Sequence, residues 1–551
     1  MEKRKVHYEM KLLSSLVKVF PDEMPLYQPE CLKLSVLWGE SVSFQAAYFT
    51  DSPRRELLRL TLESPIRDYI SVRSVELVPV GRAVHGEVDD NYLKTTAGLY
   101  PDLLRKLEND SVIASSMQWR SLWIDVEGSQ EIPAGSYPIR IYLSDEDGVV
   151  CEAVMNVMII GAVLPESGLI HSEWLHGDCL ADYYQEPVFS EKYWQILENF
   201  LTEYVARGCN MILTPIFTPP LDTAVGGERT TIQLVDVQVQ DQTYLFGFER
   251  FERFVRLCRK LGIQYFEISH LFTQWGAKAA PKIIATVDGK EKRIFGWDTP
   301  AVGEYTRFLE AFLPCLKQKL EELQIEEVTC FHISDEPEEE DLESYRAAKE
   351  SVRKLLEGFP HMDALSNYAF YEQGIVELPV VATDHIQKFL DHGVPGLWSY
   401  YCAGQYRDVS NRYIAMPSAR NRIYGLQIYK YGIAGILHWG YNFYNSEKSL
   451  SHINPYEVTD AGYGFEAGDS FLVYPGKDFK PEESIRMMVL YHALNDVRAL
   501  RFLESLTDRE FVMELMESEI ASPITFTEYP KSDFYLLQLR ERVNREIGRR
   551  I

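Results

Sequence analysis

No uninterrupted apolar run of about 18 residues occurs in the 551-residue chain, which leaves no candidate for a membrane-spanning helix. Paired cysteines are also missing. The eight (Cys31, Cys151, Cys179, Cys209, Cys258, Cys315, Cys330 and Cys402) stand singly, with no CxxC and no Cys/His ligand spacing. Reduced, mostly buried thiols are expected, as in a cytoplasmic protein. The start "MEKRKVHYEMKLLSSLVKVF" carries basic residues but no apolar core and no small-residue cleavage site, so a cytoplasmic location is the expectation. Positive charge is scarce: 56 basic against 82 acidic residues give a net charge of -26. Such a field repels phosphate backbones and anionic lipid, so neither nucleic acid nor a membrane is expected as a partner. No GxGxxG or GxxxxGK[ST] loop accompanies any strand–helix junction, and no repeat or low-complexity tract interrupts the chain.

What is present is a long globular chain, 46% apolar and 13% aromatic, with length for two to four domains. Up to about residue 165 the pattern is short alternating runs: "SVSFQAAYF" (41–49), "RSLWIDVEG" (120–128), "GSYPIRIYLSD" (135–145) and "CEAVMNVMIIG" (151–161). Period two over such lengths predicts half-buried strands. Only "YPDLLRKLEND" has a helical pattern, and the segment 1–165 reads as a β-sandwich domain. "AVLPESG" (162–168) is a plausible exit linker.

From about residue 170 the period changes. Helical stretches such as "EKYWQILENFLTEYVARGCN" and "FERFVRLCRKLG" alternate with short apolar runs such as "NMILTPIF" and "IQYFEISHLF". A third helix, "GEYTRFLEAFLPCLKQKLEELQ", should be kinked at Pro314. About eight strand candidates fall before residue 445, the length and rhythm of a (β/α)8 barrel over 170–480. A doubly wound sheet competes, but it lacks a phosphate loop here. A closing helix at 483–506 and a further C-terminal helix make up the extension over 481–551.

In a (β/α)8 barrel, function collects at the C-terminal strand ends. Those ends carry Trp174, His176 and Asp178; His270 and Trp275; Tyr368; Trp398 and Tyr400; and His438, Trp439 and Tyr441. Aromatic faces beside hydrogen-bonding groups suit a sugar, whose rings expose C–H faces and hydroxyls. Any one of these residues could equally fill the top of the barrel.

The fourth strand end reads "CFHISDEP" (330–337). Glu338, Glu339, Glu340 and Asp341 fit a solvated helix start. Asp335 and Glu336 do not, because they follow directly on a strand buried on both sides. Pro337 excludes right-handed helix at Glu336, so an extended chain is expected there, with the two carboxyls addressing different atoms of one ligand. Paired catalytic carboxylates usually stand about 5 Å apart on different strands. Adjacency suits a different division of labour, in which one carboxyl protonates the leaving oxygen and the other holds a substrate group that attacks.

"FHISDEP", preceded by "EWLHGDCLADYY" and followed by "ILHWGYNFYN", resembles glycoside hydrolase family 123 and the related DUF4091 group. "GLYPDLLRKL", "QWRSLWIDVEGSQEIPAGSYPIRIYL" and "LPES" are similar to that group's β-sandwich module, so the resemblance spans nearly the whole chain. Family 20 hexosaminidases end a strand in His-x-Gly-Gly-Asp-Glu, and the double glycine is absent here. The resemblance implies an exo-acting, retaining β-N-acetylgalactosaminidase using substrate-assisted catalysis. Glu336 would be the general acid, and Asp335 would orient the acetamido group toward C1. His176, Asp178, Trp275, Tyr368, Trp398, Tyr400, Trp439 and Tyr441 would form the sugar pocket, with Trp174, His270 and His438 beside them. No metal or other cofactor is implied, and the partner is a glycan or oligosaccharide. Two alternatives stand beside this reading. One is a glycosidase for sugars without an acetamido group, recruiting Asp178, Glu267 or Asp384 as nucleophile. The other is a non-catalytic carbohydrate-binding protein of the same fold.

Overall fold

A computed structural model of the chain describes residues 6–25, 33–166, 168–241 and 243–551; Cys31 lies outside the described residues. The chain divides into two compact units, one of Met1–Ser167, Ser410–Lys430 and Glu482–Ile551, the other of Gly168–Val409 and Tyr431–Pro481.

The first unit contains two five-stranded sheets. One is ordered Tyr8–Ser14, Ser41–Thr50, Arg120–Glu127, Ile70–Val80, Gly98–Lys106, and is antiparallel throughout. The other is ordered Lys33–Trp38, Gly148–Val163, Gly135–Asp145, Glu56–Glu63, Ser111–Ala114. Alternation sorts Leu122, Ile124 and Val126 of one sheet and Ile139, Ile141 and Leu143 of the other into a single apolar core, as period two requires. The helix expected in "YPDLLRKLEND" is instead the strand Gly98–Lys106, paired with Arg73–Val80 across a bulge. Pairing overrides local propensity here because Asp102 is fully buried and forms a bidentate pair with Arg486, at 2.9 Å for each bond.

Helices Ser418–Tyr431, Ile485–Leu506 and Asp533–Gly548 share a second core in this unit, where Ala419, Ile423 and Leu426 meet Ile485, Met488 and Val543. Removing one partner of a buried ion pair leaves an uncompensated charge and costs about 3–5 kcal/mol. Asp102→Asn is therefore expected to lower the midpoint of this unit's thermal transition, read by calorimetry against wild type.

The second unit is built on an eight-stranded parallel sheet. Its strands are β1 (Ile170–Glu173), β2 (Met211–Thr214), β3 (Tyr265–Ile268), β4 (Thr329–Phe331), β5 (Met362–Leu365), β6 (Leu378–Ala382), β7 (Trp398–Tyr400) and β8 (Gly435–His438). The hydrogen-bonded order runs β4-β3-β2-β1-β8-β7-β6-β5. An isolated parallel bridge between Phe331 and His361 nearly closes the barrel. Most strand residues are buried, as expected of strands covered on both faces. Met211, Leu213, Met362, Ala364, Val380, Ala382 and Trp398 fill the interior.

Between the strands, helix Glu191–Ala206 is capped by the Ser190 hydroxyl, which accepts the Tyr193 N–H at 3.1 Å. Helix Glu249–Leu261 ends at Gly262, whose φ of 109° suits a residue without Cβ. Helix Glu304–Leu323 continues through Pro314. A four-stranded sheet (Asp236–Gln240, Thr243–Gly247, Ile283–Val287, Lys290–Phe295) is an element the sequence reading did not anticipate. Among the described residues no helix is long and apolar enough to cross a membrane. None of the seven described cysteines is in a disulfide, and four of them are buried.

Candidate active site

The parallel strands deliver their C-terminal ends to one mouth, which holds a cleft of about 720 Å3. Seven of the thirteen residues expected from the sequence line it: Trp174, Trp275, Asp335, Glu336, Tyr368, Tyr400 and Trp439.

After β4 the chain continues in pairing with the loop after β3. Leu271 N–H donates to His332 O at 3.1 Å, and Phe272 N–H to Ile333 O at 3.0 Å. This tie brings Asp335 to the cleft with only 5% of its surface exposed. Glu336 is not extended, contrary to expectation: its φ is +43°. Pro337 closes the right-handed helical region, and the residue takes the left-handed one, where its N–H donates to Ala364 O of β5 at 3.2 Å. Trp275, at φ +60°, is also left-handed and donates its N–H to Asp335 O at 3.3 Å. Each such non-glycine residue costs about 1 kcal/mol. Backbone strain of this kind concentrates where a side chain must be aimed.

The two carboxyls have separate partners. Asp335 Oδ2 accepts from Gln274 Nε2 at 2.9 Å, while Glu336 Oε1 accepts from the Tyr400 hydroxyl at 2.7 Å and from Cys402 Sγ at 3.9 Å. Burial, reinforced by the Glu336 charge, holds the Asp335 carboxyl well above the usual carboxylate range. Burial also raises Glu336, against the opposing Tyr400 hydrogen bond. Two like charges in one buried site titrate as a pair and favour sharing a proton. Tyr400→Phe removes a bond that favours the Glu336 anion, so the basic limb of any Glu336-dependent pH profile is expected to move upward.

The remaining six expected residues do not reach the cleft. Asp178 is committed to Arg229, which binds both its oxygens at 2.7 and 2.8 Å. His176 is held between Arg229 Nη2 at 3.0 Å and Trp439 O at 2.8 Å. His270 lies under Trp174, edge-on at 5.2 Å. Trp398 points into the barrel beneath Tyr400, pressed so closely over Gly435 that a Cβ there would stand 2.2 Å from its ring. His438 accepts the Gly440 N–H at 2.9 Å. Tyr441 packs edge-on to Tyr204 at 5.1 Å. Five of the six sit at or just beyond a C-terminal strand end, whereas Trp398 opens β7 at its other end, contrary to expectation; all six side chains are taken up by packing or ion pairing.

Asp341 also departs from the solvated helix start expected of 338–341: it is buried, with Lys278 Nζ 2.8 Å from its carboxylate.

A family model, "Glycoside hydrolase 123, catalytic domain", matches residues 174–503. The chain belongs to glycoside hydrolase family 123. No curated protein matches it. A solved family 123 glycoside hydrolase from Clostridium perfringens, described for glycolipid glycan hydrolysis, aligns over 98% of both chains with a TM-score of 0.75 and 16% identity. At that identity the likeness is one of fold. A family 39 glycoside hydrolase from Bacteroides cellulosilyticus WH2 aligns over 85% of this chain and 81% of its own, at 12% identity and a TM-score of 0.33. That score is too low to bear on the architecture.

Several residues of this family 123 cleft were missing from the sequence-based set. Gln274 links two walls, accepting the Asp222 N–H at 2.7 Å while donating to Asp335. Asp222 lines the cleft, and burial raises its carboxyl to about 6. Gln405 accepts the Cys402 N–H at 2.9 Å and donates to Asp384 at 3.1 Å. Gln274 stands one residue before Trp275 and was legible as a strand-end polar group. Gln405 follows no strand-end pattern and gave no signal.

Proposed function

We propose that the protein is an exo-acting, retaining glycosidase that removes terminal β-linked N-acetylhexosamine, with N-acetylgalactosamine the favoured sugar. The observation that carries this reading is the adjacent Asp335–Glu336 pair, both lining the cleft and each with its own hydrogen-bond partners. Glu336 protonates the glycosidic oxygen as general acid. Asp335 accepts the acetamido N–H and turns the acetamido oxygen toward C1. The C1–oxygen bond to the aglycone breaks as that oxygen attacks, forming an oxazolinium ion. Glu336, now ionised, takes a proton from water, which opens the ring with net retention.

Burial raises both Asp335 and Glu336, whereas this division of labour needs Asp335 ionised and Glu336 protonated. A bound acetamido N–H supplies Asp335 with the hydrogen bond that favours its anion, which leaves the shared proton on Glu336. Trp174, Trp275, Tyr368, Tyr400 and Trp439 provide aromatic and hydroxyl surface for the sugar. The barrel unit does the chemistry, and the two sheets of the first unit are a β-sandwich module of the family type. The glycolipid glycan hydrolysis described for the Clostridium perfringens relative makes glycolipid glycans the first substrate class to try.

The three carboxylates that the sequence offered as a separate nucleophile are poorly placed, although Asp222 does line the cleft. Asp178 is paired with Arg229, Glu267 is fully buried against His332, and neither they nor Asp384 line the cleft. A panel of aryl β-glycosides tests the proposal. Turnover of N-acetylgalactosaminide or N-acetylglucosaminide, sharply reduced in Glu336→Gln, is the expected result. Turnover of β-glucosides or β-galactosides alone would overturn it. Trp439→Ala should raise KM about tenfold or more with a smaller change in kcat, because stacking on a sugar face acts in the ground state and the transition state alike.

A further inference from the structure

Below the cleft, His332 lies between two carboxylates. Its Nε2 is 2.8 Å from Glu267 Oε2 and its Nδ1 is 3.1 Å from Asp363 Oδ1. All three residues are fully buried. Both carboxylates are otherwise occupied as acceptors. Glu267 receives the Ser172 hydroxyl and the Trp174 indole N–H, the latter at 3.1 Å. Asp363 receives the Tyr345 hydroxyl and the backbone N–H groups of Ile333 and Ser334, at 3.1 and 3.4 Å. Set between two acceptor carboxyls, both ring nitrogens of His332 are placed to donate, which is the arrangement of an imidazolium.

We propose that His332 is a positioning residue of this active site: a buried cation on the segment that carries the carboxylate pair, which through Glu267 and Asp363 ties down both that segment and Trp174. This inference rests on the hexosaminidase reading for the reaction it serves. The hydrogen bonds to Asp363 and Glu267 outweigh the effect of burial, which alone would lower the ring, and bring His332 up to about 10.

The charges around Asp335 give the cation its purpose. Glu336 and Asp363 push the Asp335 carboxyl up, and His332 is the cation that pulls it down. The nearby Cys402, Cys330 and Tyr345 stay neutral, since burial raises each of them well above its usual value. His270, stacked on His332 at 4.3 Å, stays neutral too, because burial and the adjacent cation lower it. His270, His332 and Asp363 stand close enough to suggest a metal site. The two rings, however, stack at an angle of 23°, so their in-plane lone pairs do not converge, and both His332 nitrogens are already engaged.

Two variants should move the pH profile in opposite directions. His332→Gln deletes the cation, so Asp335 holds its proton to higher pH and the acidic limb of kcat/KM moves up by about one unit or more. Asp363→Asn deletes a neighbouring negative charge while its amide oxygen can still accept from Ile333, so the same limb moves down. A structural role alone would lower activity without shifting the limb in opposite senses. Independently of turnover, 15N spectra of histidine-labelled protein at pH 8 should show both His332 nitrogens protonated, with the signal assigned by its loss in His332→Gln. Should that variant not fold, Asp363→Asn alone carries the limb test, with the downward shift expected, and also supplies the assignment by displacing the signal. A neutral His332 at pH 8, or limbs that stay put or move together, overturns the inference. A doubly protonated His332 in a protein that turns over no N-acetylhexosaminide sinks the hexosaminidase reading and leaves the cation standing.

Discussion

Glu336→Gln is expected to lower kcat/KM for aryl β-N-acetylgalactosaminides by about a hundred- to ten-thousandfold, the usual contribution of a positioned general acid. The amide keeps the shape and can still accept from the Tyr400 hydroxyl, so the loss reports the missing proton. The deficit should shrink as the aryl leaving group becomes more acidic, because a good leaving group departs without protonation. The basic limb of the pH profile should vanish with the group that titrates there. An equal loss across all leaving groups would remove Glu336 from the acid role.

Asp335→Asn is expected to act differently. Its amide oxygen can still accept the acetamido N–H, so KM should change little. Positive charge develops on the acetamido group only as the oxazolinium forms, and a neutral amide cannot offset it. Electrostatic groups aimed at transition-state charge are worth about a hundred- to a thousandfold in kcat, and a loss of that size in kcat with KM held is the signature of an interaction made in the transition state. The acidic limb should be lost as well, since the substituted amide does not titrate. Measurements with wild type and both variants on one substrate series separate the two roles.

Much of this architecture was legible in the sequence because it rests on periodicity. The switch from period two to alternating helices and short apolar runs near residue 170 matches the change from the two five-stranded sheets to the parallel barrel. The small sheet of Asp236–Gln240 and its partners escaped notice because its strands are half exposed and lie between barrel elements. Helix Ser418–Tyr431 carries no amphipathic stripe, being buried all round, and its membership in the first unit had no local signal.

At the site, the sequence identified the chemistry of the strand ends but not the direction of each side chain. Asp178 and Asp335 are both acidic residues following barrel strands. Arg229, fifty-one positions away, claims the first, whereas Gln274 leaves the second facing the cleft. The left-handed turn at Glu336 follows from the closing of the barrel between β4 and β5 through its N–H bond to Ala364, which no local pattern encodes. Adjacency of the two carboxyls was the feature that sequence alone could supply, and it remains the basis of the mechanism.

The central claim is that the substrate provides the nucleophile. It is tested most directly by kcat/KM for aryl β-N-acetylgalactosaminides whose acetyl methyl carries none, one, two or three fluorines. Each fluorine weakens the carbonyl oxygen as a nucleophile while leaving the sugar and the aglycone unchanged. The expected result is a steep, progressive fall in rate through the series. A flat series, together with capture of a covalent sugar ester on a protein carboxylate, would contradict the account.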